Sequence, residues 1–122
     1  MTTLDGVRVL VVEDNFIVAD SLRSLLSAYG GTVVSMAPSV EAALSVLASE
    51  PIDVAILDIH LKGGTVDGLA DRLVERKVPF LFITGYGDDT VLPERLRGWP
   101  RLDKPVEPDL LLATLGAMIG RS

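Results

Sequence analysis

Short, wholly apolar runs alternate along this chain with longer segments whose apolar positions recur at helical spacing. VRVLVV (7–12) is continuous and β-branched, too short for an independent helix, and predicts a strand covered on both faces. NFIVADSLRSLLSAYGG (15–31) follows at helical spacing, with Asn15 placed to cap its start and Gly30–Gly31 to stop it. TVVSM (32–36) reads as a strand, and SVEAALSVLASEP (39–51) as a helix capped by Ser39 and ended before Pro51. DVAILD (53–58) is apolar until it closes in an acid. VDGLADRLVERKVP (66–79) predicts a helix with an early weak point at Gly68, PFLFIT (79–84) a strand, and WPRLD (99–103) another. VEPDLLLATLGAMIG (106–120) predicts a last helix. Between the final two strands, GYGDDTVLPERLRG (85–98) has room for a helix, but Pro93 interrupts it and predicts a short, irregular or mobile segment.

Strand–helix alternation with apolar strands predicts an α/β fold around a five-stranded parallel sheet, doubly wound with helices on both faces. Pro100 removes a ladder donor, which suits an edge strand and the order 2-1-3-4-5. In such sheets polar chemistry gathers at the carboxyl ends of the strands. Glu13 and Asp14 close the first strand, Asp58 the third and Thr84 the fourth, while Lys104 follows the fifth. Distant in sequence, these groups are expected on one rim.

Composition narrows the possibilities. A chain of 122 residues, 48% hydrophobic, suits one folded domain spanning residues 1–122. With no cysteine, disulfides, iron–sulfur clusters and thiol catalysis are excluded. The formal net charge of −6 argues against a general nucleic-acid binder. No basic-then-apolar leader opens the chain and no apolar run approaches membrane-spanning length, so the expectation is a cytoplasmic protein with neither nucleic-acid nor membrane partner.

Two adjacent acids at the end of an apolar strand repel each other and resist desolvation, so they need a positive partner. With Asp58 beside them, a hard divalent ion such as Mg²⁺ answers that need, since it takes oxygen ligands and commonly combines one or two carboxylates with a phosphate. Lys104 adds a point charge suited to a carboxylate or phosphoryl oxygen, and Thr84 a hydroxyl donor. The set describes a site for in-line phosphoryl transfer to Asp58, where positioning and charge neutralisation are the main contributions.

The ordered set Glu13–Asp14, Asp58, Thr84 and Lys104–Pro105 resembles the receiver domain of two-component response regulators, over nearly the whole chain from Val7 to the last helix. FITGYG (82–87) and the loop LKGGTVDG (61–68) further resemble a subgroup of single-domain receivers with a Phe-Ala-Thr-Gly signature, here with Ile83 for Ala. The resemblance implies the CheY-like, flavodoxin-like version of the doubly wound fold. It implies that Asp58 accepts phosphate from a histidine kinase or phosphotransfer protein. Asp14, Asp58 and the main-chain carbonyl of His60 would bind Mg²⁺, Glu13 would reach the ion through water, and Thr84 and Lys104 would move toward the new oxygens. The Lys104–Pro105 bond would be cis. The chain would act as a phosphoacceptor rather than a general enzyme, catalysing only its own phosphotransfer and autodephosphorylation. Output would pass through an unknown downstream protein or by draining phosphate, in a monomer or weak dimer. The chain ends after the last helix, so no output domain is expected.

Two positions depart from the family. Its switch aromatic, three residues before the lysine, is replaced by Arg101, leaving Tyr86 or Trp99 to take a related role. Lys62 stands where many receivers have proline, followed by Gly63–Gly64, which implies a more mobile loop.

Each residue alone has a plainer explanation. A strand-end acid is often an N-cap, a threonine there is ordinary, and a lysine before proline is usually a solvated loop residue. His60 reads as an exposed side chain, and Arg72, Arg76 and Lys77 as a solvated helix face. Leu110, Leu111, Leu112, Leu115, Met118 and Ile119 widen the apolar face of the last helix, which predicts a broad core face ahead of a partner surface. Convergence of the acids with Thr84 and Lys104 favours function over these readings. Among rivals, an aspartyl-phosphate phosphatase would carry Asp-x-Asp after the first strand, where this chain has Glu13–Asp14–Asn15. A flavin or nucleotide module would need a glycine-rich turn there. A receiver-like scaffold that binds partners without phosphorylation stays open because of Arg101.

Overall fold

The computed structural model describes residues 3–61, 66–85 and 92–120. Five parallel strands, β1 (Arg8–Val12), β2 (Thr32–Ala37), β3 (Val54–Asp58), β4 (Phe80–Thr84) and β5 (Arg101–Asp103), lie in the order β2-β1-β3-β4-β5. Four helices, α1 (Phe16–Ala28), α2 (Val40–Ser49), α3 (Val66–Glu75) and α4 (Pro108–Met118), cover them, and a 3₁₀ turn occupies Glu94–Leu96. The doubly wound sheet expected from the alternation is present, with the proline-led β5 at an edge.

Alternation along the strands separates two cores. Leu10, Val12, Ala55, Leu57, Phe80 and Phe82 face α2 and α3, while Val9, Val11, Val54, Ile56, Leu81 and Ile83 face α1 and α4. Every residue of β3 and β4 is buried, including the terminal Asp58 and Thr84.

The helix boundaries follow their caps. Asn15 Oδ1 accepts from the Ile17 and Val18 amides, and Ser39 Oγ from Ala42 N, so both sequence-predicted caps form. Glu107 does the same for α4, accepting from Asp109 and Leu110. Gly30 has φ +92°, and a Cβ there would meet Asp5 Oδ1, which explains a glycine after α1.

Two expectations are revised and one is extended. The helix predicted to 79 ends at Glu75, because Lys77 adopts φ 59° and Pro79 leads into β4. Arg76 is exposed with the rest of that face, but it also donates to the Leu47 carbonyl at 2.8 Å, tying the end of α3 to the end of α2, which the sequence did not predict. On α4, Leu111, Leu112 and Leu115 are core while Leu110 is half-exposed, so the buried face is narrower than predicted. Lys62, Gly63, Gly64, Tyr86 and the rest of 86–91 within the 85–98 segment lie outside the described residues. Among the described residues, no helix is long and apolar enough to cross a membrane.

Candidate functional site

Register assembles the pocket. β1 pairs with β3 so that Val12 lies opposite Leu57, which places Glu13 and Asp58, the next residues, side by side at the carboxyl rim. β4 pairs with β3 at Asp58–Ile83 and with β5 at Thr84–Asp103, bringing Thr84 and Lys104 to the same rim. The Lys104 amide donates to the Thr84 carbonyl at 2.7 Å, and the Lys104–Pro105 peptide is cis. The strand-end groups predicted from the sequence are therefore gathered at one rim.

Glu13 and Asp58 are buried, at 2% and 3% exposure, Thr84 is buried, and Asp14 is half-exposed at the mouth. Carboxylate oxygens of Glu13, Asp14 and Asp58 lie within 4.8 Å of one another. Lys104 Nζ bridges two of these acids, 2.8 Å from Glu13 Oε2 and 3.3 Å from Asp58 Oδ2. The closer contact is one of charge, off the hydrogen-bond direction, so among the described residues no hydrogen-bond donor meets the buried Glu13 Oε2. Glu13 Oε1 accepts from the Asn15 amide at 3.0 Å. Asp58 Oδ1 accepts from the His60 amide at 3.0 Å, and the His60 side chain is exposed, as the sequence suggested.

Burial pushes the Glu13 carboxyl above its usual range and the charge of Asp58 adds to this, against the opposing pull of Lys104 and the Asn15 amide. Burial also works against the Lys104 ammonium, but Glu13 and Asp58 more than offset it and hold its pKa above that of ordinary lysine. Among the described residues, one cation thus faces three carboxylates. The crowding and the unsatisfied Glu13 oxygen are what a hard divalent cation would relieve, and an all-oxygen donor set fits Mg²⁺.

The surface beside this pocket was not legible in the sequence. Phe16 and Ile17, at 69% and 78% exposure, open α1 next to the acids. Ile17, Ser21, Leu25, Lys104, Val106 and Pro108 line a largely apolar groove of about 280 Å³ between α1 and the start of α4. Helical spacing had marked Phe16 and Ile17 as apolar without telling which side they face. Trp99, a candidate for the missing switch aromatic, stacks on Phe80 at 4.1 Å in the α2–α3 core instead of lying at the rim. Arg101 is exposed on β5.

Residues 9–116 match the family model for the response regulator receiver domain. The chain is 35% identical to SdrG from Sphingomonas melonis Fr1, whose solution structure superposes with a TM-score of 0.82 over 93% of this chain and 96% of that one. A response regulator receiver protein from Burkholderia phymatum is 30% identical, with a TM-score of 0.83 over 96% of this chain and 98% of that one. The phyllosphere-induced regulator PhyR of Methylorubrum extorquens is 27% identical over 117 residues, 93% of this chain, which spans 42% of that longer protein.

Proposed function

This chain belongs to the response regulator receiver domain family, and on that premise we propose that it is a phosphoacceptor that takes a phosphoryl group on Asp58 from a phosphohistidine donor. The observation that carries the proposal is the cluster itself: three carboxylates within 4.8 Å, two of them bridged by Lys104. A structural ion pair needs one acid for one base, and the surplus negative charge here is what a divalent cation would neutralise, leaving that cation and Lys104 to meet the oxygens of an incoming phosphoryl group.

Glu13, Asp14, Asp58 and the carbonyl of His60 would hold Mg²⁺. When bound, the ion supplies charge neutralisation for the transferring group. Asp58 is the nucleophile. A carboxylate oxygen bonds to phosphorus as the N–P bond of the donor breaks in line, and the freed imidazole takes up a proton. Lys104, already in contact with Asp58, stays with the charge as it spreads over the phosphoryl oxygens, and Thr84 offers its hydroxyl to one of them. Water later attacks phosphorus, releasing phosphate and restoring Asp58, so that the only reactions catalysed are the chain's own phosphorylation and dephosphorylation. The half-open mouth at Asp14, flanked by Phe16, Ile17 and the apolar groove, suits a donor presented on a protein. A histidine kinase or phosphotransfer protein is the fitting class, with output by contact with a further protein or by draining phosphate.

The test is incubation with a small-molecule phosphodonor, with and without Mg²⁺, followed by intact mass. One phosphoryl group is expected with Mg²⁺, little without it, and none in Asp58→Asn. Equal labelling of Asp58→Asn, or labelling indifferent to Mg²⁺, overturns the reading, and a wild type that takes no phosphoryl group favours a phosphate-independent scaffold.

A further inference from the structure

Helix α3 is the first described element after the loop leaving Asp58, and the 3₁₀ turn Glu94–Leu96 is the first after Thr84. A fork joins them. Arg95 Nε donates to Asp71 Oδ1 and Arg95 Nη2 to Asp71 Oδ2, both at 2.9 Å. Two parallel bonds from a planar guanidinium fix an orientation that a single ion pair leaves loose. Below the fork, Leu92 and Leu96 pack in one cluster with Leu69, Ala70 and Leu73 of α3. That packing holds the turn to the helix, and the exposed fork adds an orientational restraint at the surface.

A second acid, Asp67, stands four residues earlier on α3. Residues at that spacing share a helix face about 6 Å apart along the axis, within reach of a guanidinium stepping by one turn. The charge of Asp67 already reaches Arg95 and adds to the effect of Asp71 in holding the guanidinium protonated. Asp67 lies in the first helical turn, where the helix N-terminus itself favours a carboxylate, whereas Asp71 lies beyond that support and gains more from a cation. This asymmetry accounts for the pairing seen. Because α3 starts at the rim and runs away from it, Asp67 is also the acid nearer the pocket.

We propose that Asp71 and Asp67 are alternative seats for Arg95, the first occupied in the resting chain and the second when Asp58 carries a phosphoryl group. The inference rests on the phosphoacceptor reading above. New oxygens on Asp58 draw Thr84 toward them, and the 3₁₀ turn, the first described element after Thr84, shifts toward the rim, which is the direction of Asp67. A step between two discrete seats turns a small displacement at the pocket into a change of register on the surface of α3.

The test follows the Arg95 Nε–Hε resonance in the whole chain, with Mg²⁺ alone and with Mg²⁺ plus beryllofluoride, in wild type, Asp67→Asn and Asp71→Asn. With Mg²⁺ alone, Asp71→Asn is expected to displace the resonance and Asp67→Asn to leave it nearly in place; beryllofluoride should reverse that ranking. Beryllofluoride affinity should tighten about two- to five-fold in Asp71→Asn and weaken by a similar factor in Asp67→Asn, the range an exposed ion pair supports. If wild type binds beryllofluoride and Asp71→Asn still dominates, or both variants shift affinity in one direction or not at all, the exchange of seats is overturned while the phosphoacceptor reading stands. A wild type that binds no beryllofluoride overturns both.

Discussion

Glu13 shows how much a single position can carry. It is buried, it meets Lys104 through one oxygen and the Asn15 amide through the other, and burial raises its carboxyl pKa. A raised carboxyl binds its proton more tightly in the folded chain than in the unfolded one. Its contribution to stability is therefore complete below the ordinary glutamate value of 4.5 and is lost as pH rises through the raised value. Without metal, stability should fall over the pH range above 4.5, and Glu13→Gln should flatten that slope. Mg²⁺ should stabilise wild type most at the upper end of the range, by about 1.4 kcal/mol at about ten times Kd. Thermal melts across pH, with and without Mg²⁺, check this, and a wild-type slope identical to that of Glu13→Gln would sink it. The acids were legible in the sequence because an apolar strand ending in adjacent carboxylates has few plain explanations. The Asp71–Arg95 fork was not, because nothing local pairs two exposed charges 24 residues apart.

At the scale of elements, what the sequence reveals depends on whether the signal is local. The caps at Asn15 and Ser39 and the stop at Gly30 are settled within a few residues, and all were readable. Which side of α1 meets the sheet depends on distant strands, and Phe16 and Ile17 turned out to face outward. Trp99 is a second case. Its sequence position beside β5 left a switch role open, but its stack on Phe80, which in turn meets Phe82 edge-on at 5.5 Å, makes it a partly buried cover on the α2–α3 core. Three rings in one cluster make Phe80 the pivot between β4 and the segment preceding β5. Phe80→Ala should cost about 3–5 kcal/mol in chemical denaturation, since it deletes a fully buried ring and both aromatic contacts. Trp99 emission should shift to the red as its face becomes wet. A loss below about 1 kcal/mol would mean that the cluster repacks freely and anchors nothing.

Over the whole molecule, polar anchoring and polar chemistry sit at opposite poles of the sheet. At the amino end Arg8 is clamped three ways: its amide donates to Asp53 at 2.8 Å, Nε to the Pro51 carbonyl at 2.9 Å and Nη2 to Glu50 at 3.1 Å. At the carboxyl end the acids, Thr84 and Lys104 converge on a pocket left with excess negative charge. A ligand in that pocket acts on the chain in two ways that amide hydrogen exchange separates. Core amides of β1 and β3 that exchange only on global unfolding should all slow by one common factor, set by ligand concentration over Kd. Amides that exchange by local opening should respond only where that opening is coupled to the rim. Mg²⁺ with beryllofluoride is therefore expected to change exchange in 92–104 and along α3 by factors different from the core value. The end of α2 around Leu47, held at the amino pole side by Arg76, should keep its rate. If the end of α2 responds as strongly as 92–104, the two poles are not separable, and a phosphoryl group would be felt across the whole body instead of on the face that α3 and the 3₁₀ turn share.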